Sequence, residues 1–184
     1  PGGTGCPLNS LRTMEKEALR EFRNELETEL KDNILLWWMK YSPDREHGGF
    51  HGHIDHQNQA VKGVGKGAVL NARILWTFSA AHRAYPDQDY LSMAERAYKY
   101  ILDNFLDKDF GGVYWEIDEQ GGILSSRKQI YAIAFTIYAL AEYHMACGDP
   151  QAKDLAIACF EDIEFFAFDP INKGYTEALN RQWE

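Results

Sequence analysis

A loop motif recurs three times along the chain at an interval of 62 or 63 residues. We call the copies loop 1 (44–55), loop 2 (107–118) and loop 3 (169–180). Each begins with aspartate, continues through Gly-Gly or Lys-Gly, and then has an apolar or aromatic residue. This order predicts a turn that leads into a short strand, because glycine adopts positive φ at low cost. A fixed period of this length constrains the fold more than any other feature of the sequence.

Two helical patterns lie between successive loops, and they differ in how much of the helix surface is apolar. Residues 67–85 and 129–147 are apolar almost all round, which is typical of buried, inner helices. Residues 89–105 and 151–167 carry one apolar stripe opposite charged residues, which predicts outer, half-solvated helices. A long first helix is predicted over residues 11–40.

Alternating inner and outer helices at this period predict an all-α fold of the (α/α)6 toroid or barrel class. The alternative, an α-solenoid, usually has shorter periods, of roughly 34 to 47 residues. Six helix pairs need about twice this chain. Residues 14–184 are therefore predicted to be the N-terminal half of a single (α/α)6 barrel domain. Its inner helices would lack cover, so we expect either a longer protein or self-association if the chain ends at Glu184.

The amino-acid composition and net charge limit the classes of molecule that the chain is expected to bind. Nineteen Lys and Arg against 28 Asp and Glu give a net charge of −9, which argues against nucleic acid and anionic lipid. There is no run of eighteen apolar residues, so we expect no membrane span and a small neutral ligand instead. The three cysteines have no CxxC spacing and residues 1–13 lack the pattern of a secretory signal, which favours a cytoplasmic protein. Residues 1–13 are predicted to be a disordered leader before Met14.

Arg73 is the most unusual residue of the inner helices. The helix around it is otherwise apolar, and a buried guanidinium must be paired or face a polar cavity. The position one period later is Phe135, so the scaffold does not require arginine there. This difference favours a functional role over a buried ion pair. Asn71, two residues earlier, is a candidate ligand contact, with a purely structural hydrogen bond as the alternative.

Three aromatic residues of the second inner helix share a face. Tyr131, Phe135 and Tyr138 are spaced by four and three residues. They form either plain core or an aromatic wall of a central cavity, where a sugar ring could stack.

The histidines of loop 1 invite a metal hypothesis, but their spacing does not support it. His51 and His53 lie on one face of an extended segment, yet no third ligand is fixed by spacing, so we expect no metal. No motif for a nucleotide or other cofactor is present. Asp55, Asp118 and Asn180 recur at the ends of the loops, which indicates a turn-forming role rather than a catalytic carboxylate pair.

Several segments in register resemble one family. They are Trp38 to Tyr41, Leu70 to Ala81, Gly111 to Trp115 and Lys128 to Tyr131. The chain from about Glu17 resembles the N-terminal half of the N-acylglucosamine 2-epimerase family, in particular its cellobiose 2-epimerase branch. The resemblance implies an (α/α)6 barrel, in agreement with the repeat.

The resemblance also implies a reaction. Members invert C2 of a reducing-end aldose without metal or cofactor; in this branch glucose becomes mannose at the end of a β-1,4 disaccharide such as cellobiose. One histidine removes the C2 proton to give a cis-enediolate, and another returns a proton on the opposite face. By resemblance, Arg73 stabilises the enediolate, and Tyr131 and Phe135 line the sugar site. The catalytic histidines would lie beyond Glu184, so this chain alone is expected to be inactive.

Other functions remain open at this point. Within the family they are N-acylglucosamine 2-epimerase and aldose-ketose isomerase. An (α/α)6 glycoside hydrolase would need a carboxylate pair in the cavity. A non-catalytic carbohydrate-binding module would need only the aromatic residues.

Overall fold

The computed structural model describes the backbone of residues 7–184 and the side chains of residues 15–184. The predicted leader lies partly outside these residues and stays a prediction. The chain divides into two compact units, one ending at Ser42 and the other comprising Pro43–Glu184.

The first unit is helical throughout its described length. It consists of α1 (Pro7–Thr28), a π-helical segment (Glu29–Leu35) and α2 (Leu36–Tyr41). The helix ends where Ser42 donates hydrogen bonds from both its N–H and its Oγ to the carbonyl of Trp38. A long helix ending before Pro43 is therefore confirmed, whereas its π-helical centre was not predicted.

The second unit contains the four predicted helices, each within two residues of its expected start. They are α3 (Ala68–Ala84), α4 (Gln88–Tyr100), α5 (Ile130–Cys147) and α6 (Pro150–Phe166). A π-helical segment (Ile101–Phe105) extends α4. The outer helices α4 and α6 begin after Asp87 and Asp149, whose carboxylates accept N–H groups of the first turn.

The helices pack as the alternating pattern predicts. The inner helices α3 and α5 contact each other, α4 packs on α3, and α6 packs on α5. Arg83 and Glu142 form an ion pair of 2.6 Å between the inner helices. Tyr98 of α4 stacks on Tyr143 of α5 with ring centroids 4.5 Å apart.

By length and composition alone, α5 is apolar enough to cross a membrane, with 18 residues and a mean hydropathy of 1.2. Buried core helices pass the same test. Here α5 packs on both α3 and α6 and holds the buried carboxylate Glu142.

Short strands connect one repeat to the next. Strand β1 (Lys66–Gly67) pairs with β2 (Glu116–Ile117), which also pairs with β3 (Ile123–Ser125). One period later, β4 (Lys128–Gln129) pairs with β7 (Ala178–Leu179) in the same antiparallel register. The strands that flank the turn of loop 3 are β5 (Phe168–Asp169) and β6 (Gly174–Tyr175). The strand before each inner helix is thus hydrogen-bonded to the end of the following loop.

Loop 1 and loop 2 are each closed by a buried ion pair between a lysine and an aspartate. Lys66 Nζ lies 2.7 Å from Asp44 Oδ2 and donates to the carbonyl of Gly48. One period later, Lys128 Nζ lies 2.8 Å from Asp107 Oδ2 and donates to the equivalent glycine carbonyl. Because buried charges are costly unless paired, each pair requires both partners. The sequence analysis missed these lysines, although each lies two residues before the start of an inner helix.

The paired carboxylates are strongly acidic. Burial alone would raise the pKa of Asp44, but hydrogen bonds from Lys66 and from the N–H groups of Glu46 and His47 lower it to about 2. Burial likewise opposes ionisation of Asp107, and hydrogen bonds from Arg181 and Lys128 overcome it, so its pKa also falls below the ordinary value.

The ends of the three loops are identical Asx turns. Asp55, Asp118 and Asn180 each accept N–H groups two and four residues further along the chain. The predicted turn-forming role is confirmed. Because the turns are equivalent, the residues that follow them in sequence are equivalent too. Glu119 follows Asp118, and Arg181 follows Asn180, so Glu119 and Arg181 occupy matching positions.

Candidate active site

A cavity of about 360 Å³ lies along one face of the inner helices. Its lining comes from α3 and α5, at helical spacings of three or four residues, and consists of Arg73, Trp76, Thr77, Tyr131, Phe135 and Tyr138. The structure therefore brings together three of the four site residues predicted from the sequence.

Arg73 is exposed, and this corrects the expectation that its guanidinium is buried. Its neighbours Ile74 and Leu75 are buried, so the helix has one open face, and Arg73 lies on it. Among the described residues, no carboxylate lies within ion-pair distance of Arg73. The guanidinium thus retains its five N–H donors for a ligand in the cavity.

Aromatic rings form the other walls. Trp76 stacks on Tyr138, with centroids 5.1 Å apart and planes 17° apart, and Tyr131 contacts Phe135 edge to face at 4.9 Å. Tyr131 and Tyr138 are 55% and 51% exposed, so they are not plain core. Their exposure also fits the expectation that the inner helices lack cover on one face. Self-association stays a prediction.

Asn71 does not line this cavity. Its side chain is fully buried, and its Nδ2 donates to the carbonyl of Gly67 at 2.9 Å, across the first turn of α3. Its Oδ1 is buried without a hydrogen-bond partner in the described part of the chain. The contacts are those of the structural alternative; a ligand-binding role stays a prediction.

Two lining residues were missed by the sequence analysis. Trp76 and Thr77 follow Arg73 by three and four residues, so they share its face. That spacing, applied to Arg73 as it was to the aromatic residues of α5, would have found them.

The cavity can orient an uncharged ring and stabilise a negative charge. Arg73 is the one ionisable cation among the lining residues, and none of these residues is a carboxylate or histidine. His82 and His144 sit at equivalent positions near the ends of α3 and α5, where Nδ1 of each contacts a main-chain carbonyl 2.8 Å away. Neither histidine lines the cavity, so among the described residues this wall carries no histidine or carboxylate to act as a general acid or base.

Solved structures share this fold. The chain superposes on a cellobiose 2-epimerase of Spirochaeta thermophila with a TM-score of 0.87 at 38% identity, covering 91% of this chain and 41% of that one. A D-mannose isomerase, 19% identical, shares the fold with a TM-score of 0.73. The fold is the (α/α)6 barrel of sugar-epimerising enzymes, as predicted, and this chain forms part of it.

The sequence comparisons narrow this class to a family. The model of the N-acylglucosamine 2-epimerase (GlcNAc 2-epimerase) family matches residues 48–184, and the chain belongs to that family. It is 48% identical to a cellobiose 2-epimerase of Bacteroides fragilis over 88% of this chain, and 41% identical to one of Ruminococcus albus over 87%. The chain spans 41% and 40% of the length of these two relatives.

Proposed function

We propose that this chain supplies one wall of the active site of a sugar 2-epimerase that acts on the reducing end of a β-1,4 disaccharide such as cellobiose. The observation that carries the proposal is Arg73, an exposed guanidinium that pairs with no carboxylate of the described residues and lies in a cavity whose other walls are largely aromatic. The relatives named cellobiose 2-epimerase support the choice of substrate.

The charge on Arg73 suits the chemistry of C2 inversion. When a base removes the C2 proton of the open-chain aldose, the electron pair moves toward O1 and an enediolate forms. A second group then returns a proton to the opposite face of C2. Negative charge on oxygen is greater in the transition state than in the substrate, so a fixed guanidinium at that oxygen lowers the barrier. Arg73 is proposed to take this role.

The aromatic walls suit a sugar. The C–H faces of a pyranose ring are apolar and pack on aromatic rings, while its hydroxyl groups remain available for hydrogen bonds. Tyr131 and Phe135 are proposed to hold the sugar on the α5 side, with Trp76 on the α3 side. Binding of this kind orients the reducing end toward Arg73.

The acid–base groups are proposed to lie outside these 184 residues. None of the histidines in the described part of the chain lines the cavity. This chain alone is therefore expected to bind sugar weakly and not to turn it over.

Arg73→Ala in the full-length protein tests the proposal. Loss of one charged donor to a developing oxyanion lowers kcat by about 100- to 1000-fold, and Arg73→Lys recovers only part of it because a lysine donates from a single point. The control is Arg127, an exposed arginine that packs on Trp115 outside the cavity. The Arg127→Ala variant should turn over cellobiose as fast as the unchanged protein. Cellobiose turnover that survives Arg73→Ala would overturn the role of Arg73.

The same assay separates the alternatives. Turnover of N-acylglucosamine or of a free aldose to a ketose, without action on cellobiose, would point to another activity of the family. Binding of cellobiose by the full-length protein with no turnover of any of these sugars would point to the non-catalytic module.

A further inference from the structure

Loop 1 and loop 2 have the same backbone but differ at the group that contacts the aspartate from the following loop. In loop 2 that group is Arg181. Its Nε and Nη2 form two hydrogen bonds of 2.9 Å with the carboxylate of Asp107, and Nη2 also reaches Asp109 at 2.8 Å. Asp107 thus binds two cations, Lys128 and Arg181.

The residue that corresponds to Arg181 one period earlier, and that faces loop 1, is Glu119. The register is fixed by the Asx turns, in which Asp118 and Asn180 make the same hydrogen bonds. Glu119 faces the carboxylate of Asp44, which is already buried against Lys66. In loop 1 an acidic side chain, Glu119, therefore faces the buried aspartate, whereas in loop 2 the basic side chain of Arg181 faces it.

The aromatic residues that pack on Arg181 are also replaced. In loop 2, Arg181 lies over the rings of Phe110 and Tyr114. Their counterparts in loop 1 are His47 and His51, whose Nδ1 atoms lie 3.6 and 4.0 Å from Asp44 Oδ2. Loop 1 thus surrounds the position of the missing guanidinium with imidazole nitrogens and carboxylate oxygens.

We propose that loop 1 binds a divalent transition-metal cation of the zinc class between Asp44, His47 and Glu119, in the place that Arg181 takes in loop 2. One donor atom from each of the three residues lies within 4.8 Å of the others. Zinc bonds to imidazole and carboxylate at about 2.0–2.2 Å, so small side-chain rotations close the site. His51 lies beside this group, with its Nδ1 4.0 Å from Asp44 Oδ2.

Among the described residues, the neighbouring cations Lys66 and Arg96 do not fill this position. Lys66 contacts Asp44, but Lys128 makes the same contact with Asp107 while Arg181 is bound, so a lysine and a second cation are compatible. Arg96 approaches loop 1 from the outer helix and donates to the main-chain carbonyls of Asp44 and Gly49. The cation we propose is a structural one, which fastens loop 2 to loop 1 and takes no part in epimerisation.

Zinc titration of the chelator-treated full-length protein tests the site. We expect the unchanged protein to bind one equivalent more than His47→Gln or Glu119→Gln, and Zn²⁺ to raise the Tm of the unchanged protein but not of these two variants. Asp109→Asn is the matched control, because it removes a carboxylate from loop 2; it should leave the extra equivalent in place. Co²⁺ in place of Zn²⁺ should give a visible absorption band that both loop 1 variants lose.

A further variant keeps the test independent of misfolding. The triple change His47→Phe, His51→Tyr and Glu119→Arg gives loop 1 the residues of loop 2. It should fold, lose the extra equivalent, and have a Tm that neither zinc nor chelator changes. Equal zinc binding by all variants would overturn the proposal. So would a loop 1 that is stabilised by acidification to about pH 5.5 but not by zinc, since a protonated imidazole would then be the cation.

Discussion

The two repeats of the second unit share the residues that close their loops but differ at the residues that face the cavity. Asp44 and Lys66 of the first repeat match Asp107 and Lys128 of the second in burial and hydrogen bonding. In contrast, Arg73 corresponds to Phe135, although both lie on the same cavity. A pair that both repeats keep is needed to close the loop. Arg73, which only one repeat carries and which pairs with no described carboxylate, is free to serve a ligand.

Replacement of the buried aspartates Asp107 and Asp44 is expected to cause the largest loss in free energy of unfolding. Asp107→Ala leaves Lys128 buried and Arg181 without its main partner, which should cost about 3–5 kcal/mol in free energy of unfolding. Asp44→Ala leaves one buried cation, Lys66, without its carboxylate partner, and it removes the repulsion between Asp44 and Glu119. Urea unfolding of the two variants in the presence of a chelator should therefore show the smaller loss for Asp44→Ala. Equal losses would mean that Arg181 adds nothing to loop 2.

The paired glycines should give the next largest effect. Gly49 has φ of +59°, and a Cβ there would lie 2.4 Å from the ring of Tyr100. Gly49→Ala is expected to cost about 2–4 kcal/mol, because both strain and a clash oppose it. Its equivalent Gly112 has similar φ but a more distant neighbour, 3.0 Å away, so Gly112→Ala should cost less.

Gly63 isolates the backbone contribution to that cost. It has φ of +72° and open space around its Cβ position. Gly63→Ala should lower the free energy of unfolding by only about 1 kcal/mol, which is the strain alone. Thermal unfolding of the three variants measures the order. A loss for Gly49→Ala no larger than that for Gly63→Ala would show that the contact with Tyr100 is not tight.

Acid sensitivity tests the lowered pKa of Asp44 in loop 1. Since the pKa of Asp44 is lowered from 3.8 to about 2 in the folded protein, its ionised form contributes stability above about pH 4, and this contribution is lost as the pH falls toward 2. The shift corresponds to about 2 kcal/mol. Asp44→Asn should flatten the dependence of unfolding free energy on pH in this range. An unchanged slope would contradict the lowered pKa.

Periodicity predicted the architecture well, and contacts between distant residues explain what it missed. The inner and outer helices and the turn residues follow from local patterns, which the 62-residue interval repeats. The cavity face of α5 followed from the spacing of Tyr131 and Phe135. The burial of Lys128 could not be foreseen from its own segment, because its partner Asp107 lies 21 residues earlier.

The exposure of Arg73 was missed for a related reason. Its apolar neighbours predict a buried helix, but burial of a given face depends on which element packs against it, and that is not encoded in the helix itself. Glu119 and His47 come together only because strand pairing brings successive loops side by side. Their separation in sequence offered no metal-binding motif to find.

The most direct measurement of the central claim follows the C2 hydrogen. The full-length protein is incubated with cellobiose in D2O, and the disaccharide is analysed by NMR. The account predicts a product with mannose at the reducing end and deuterium at C2, formed by the unchanged protein and the Arg127→Ala control but more than about 100-fold more slowly by Arg73→Ala. A product without deuterium at C2, or no mannose-ended product at all, would contradict it.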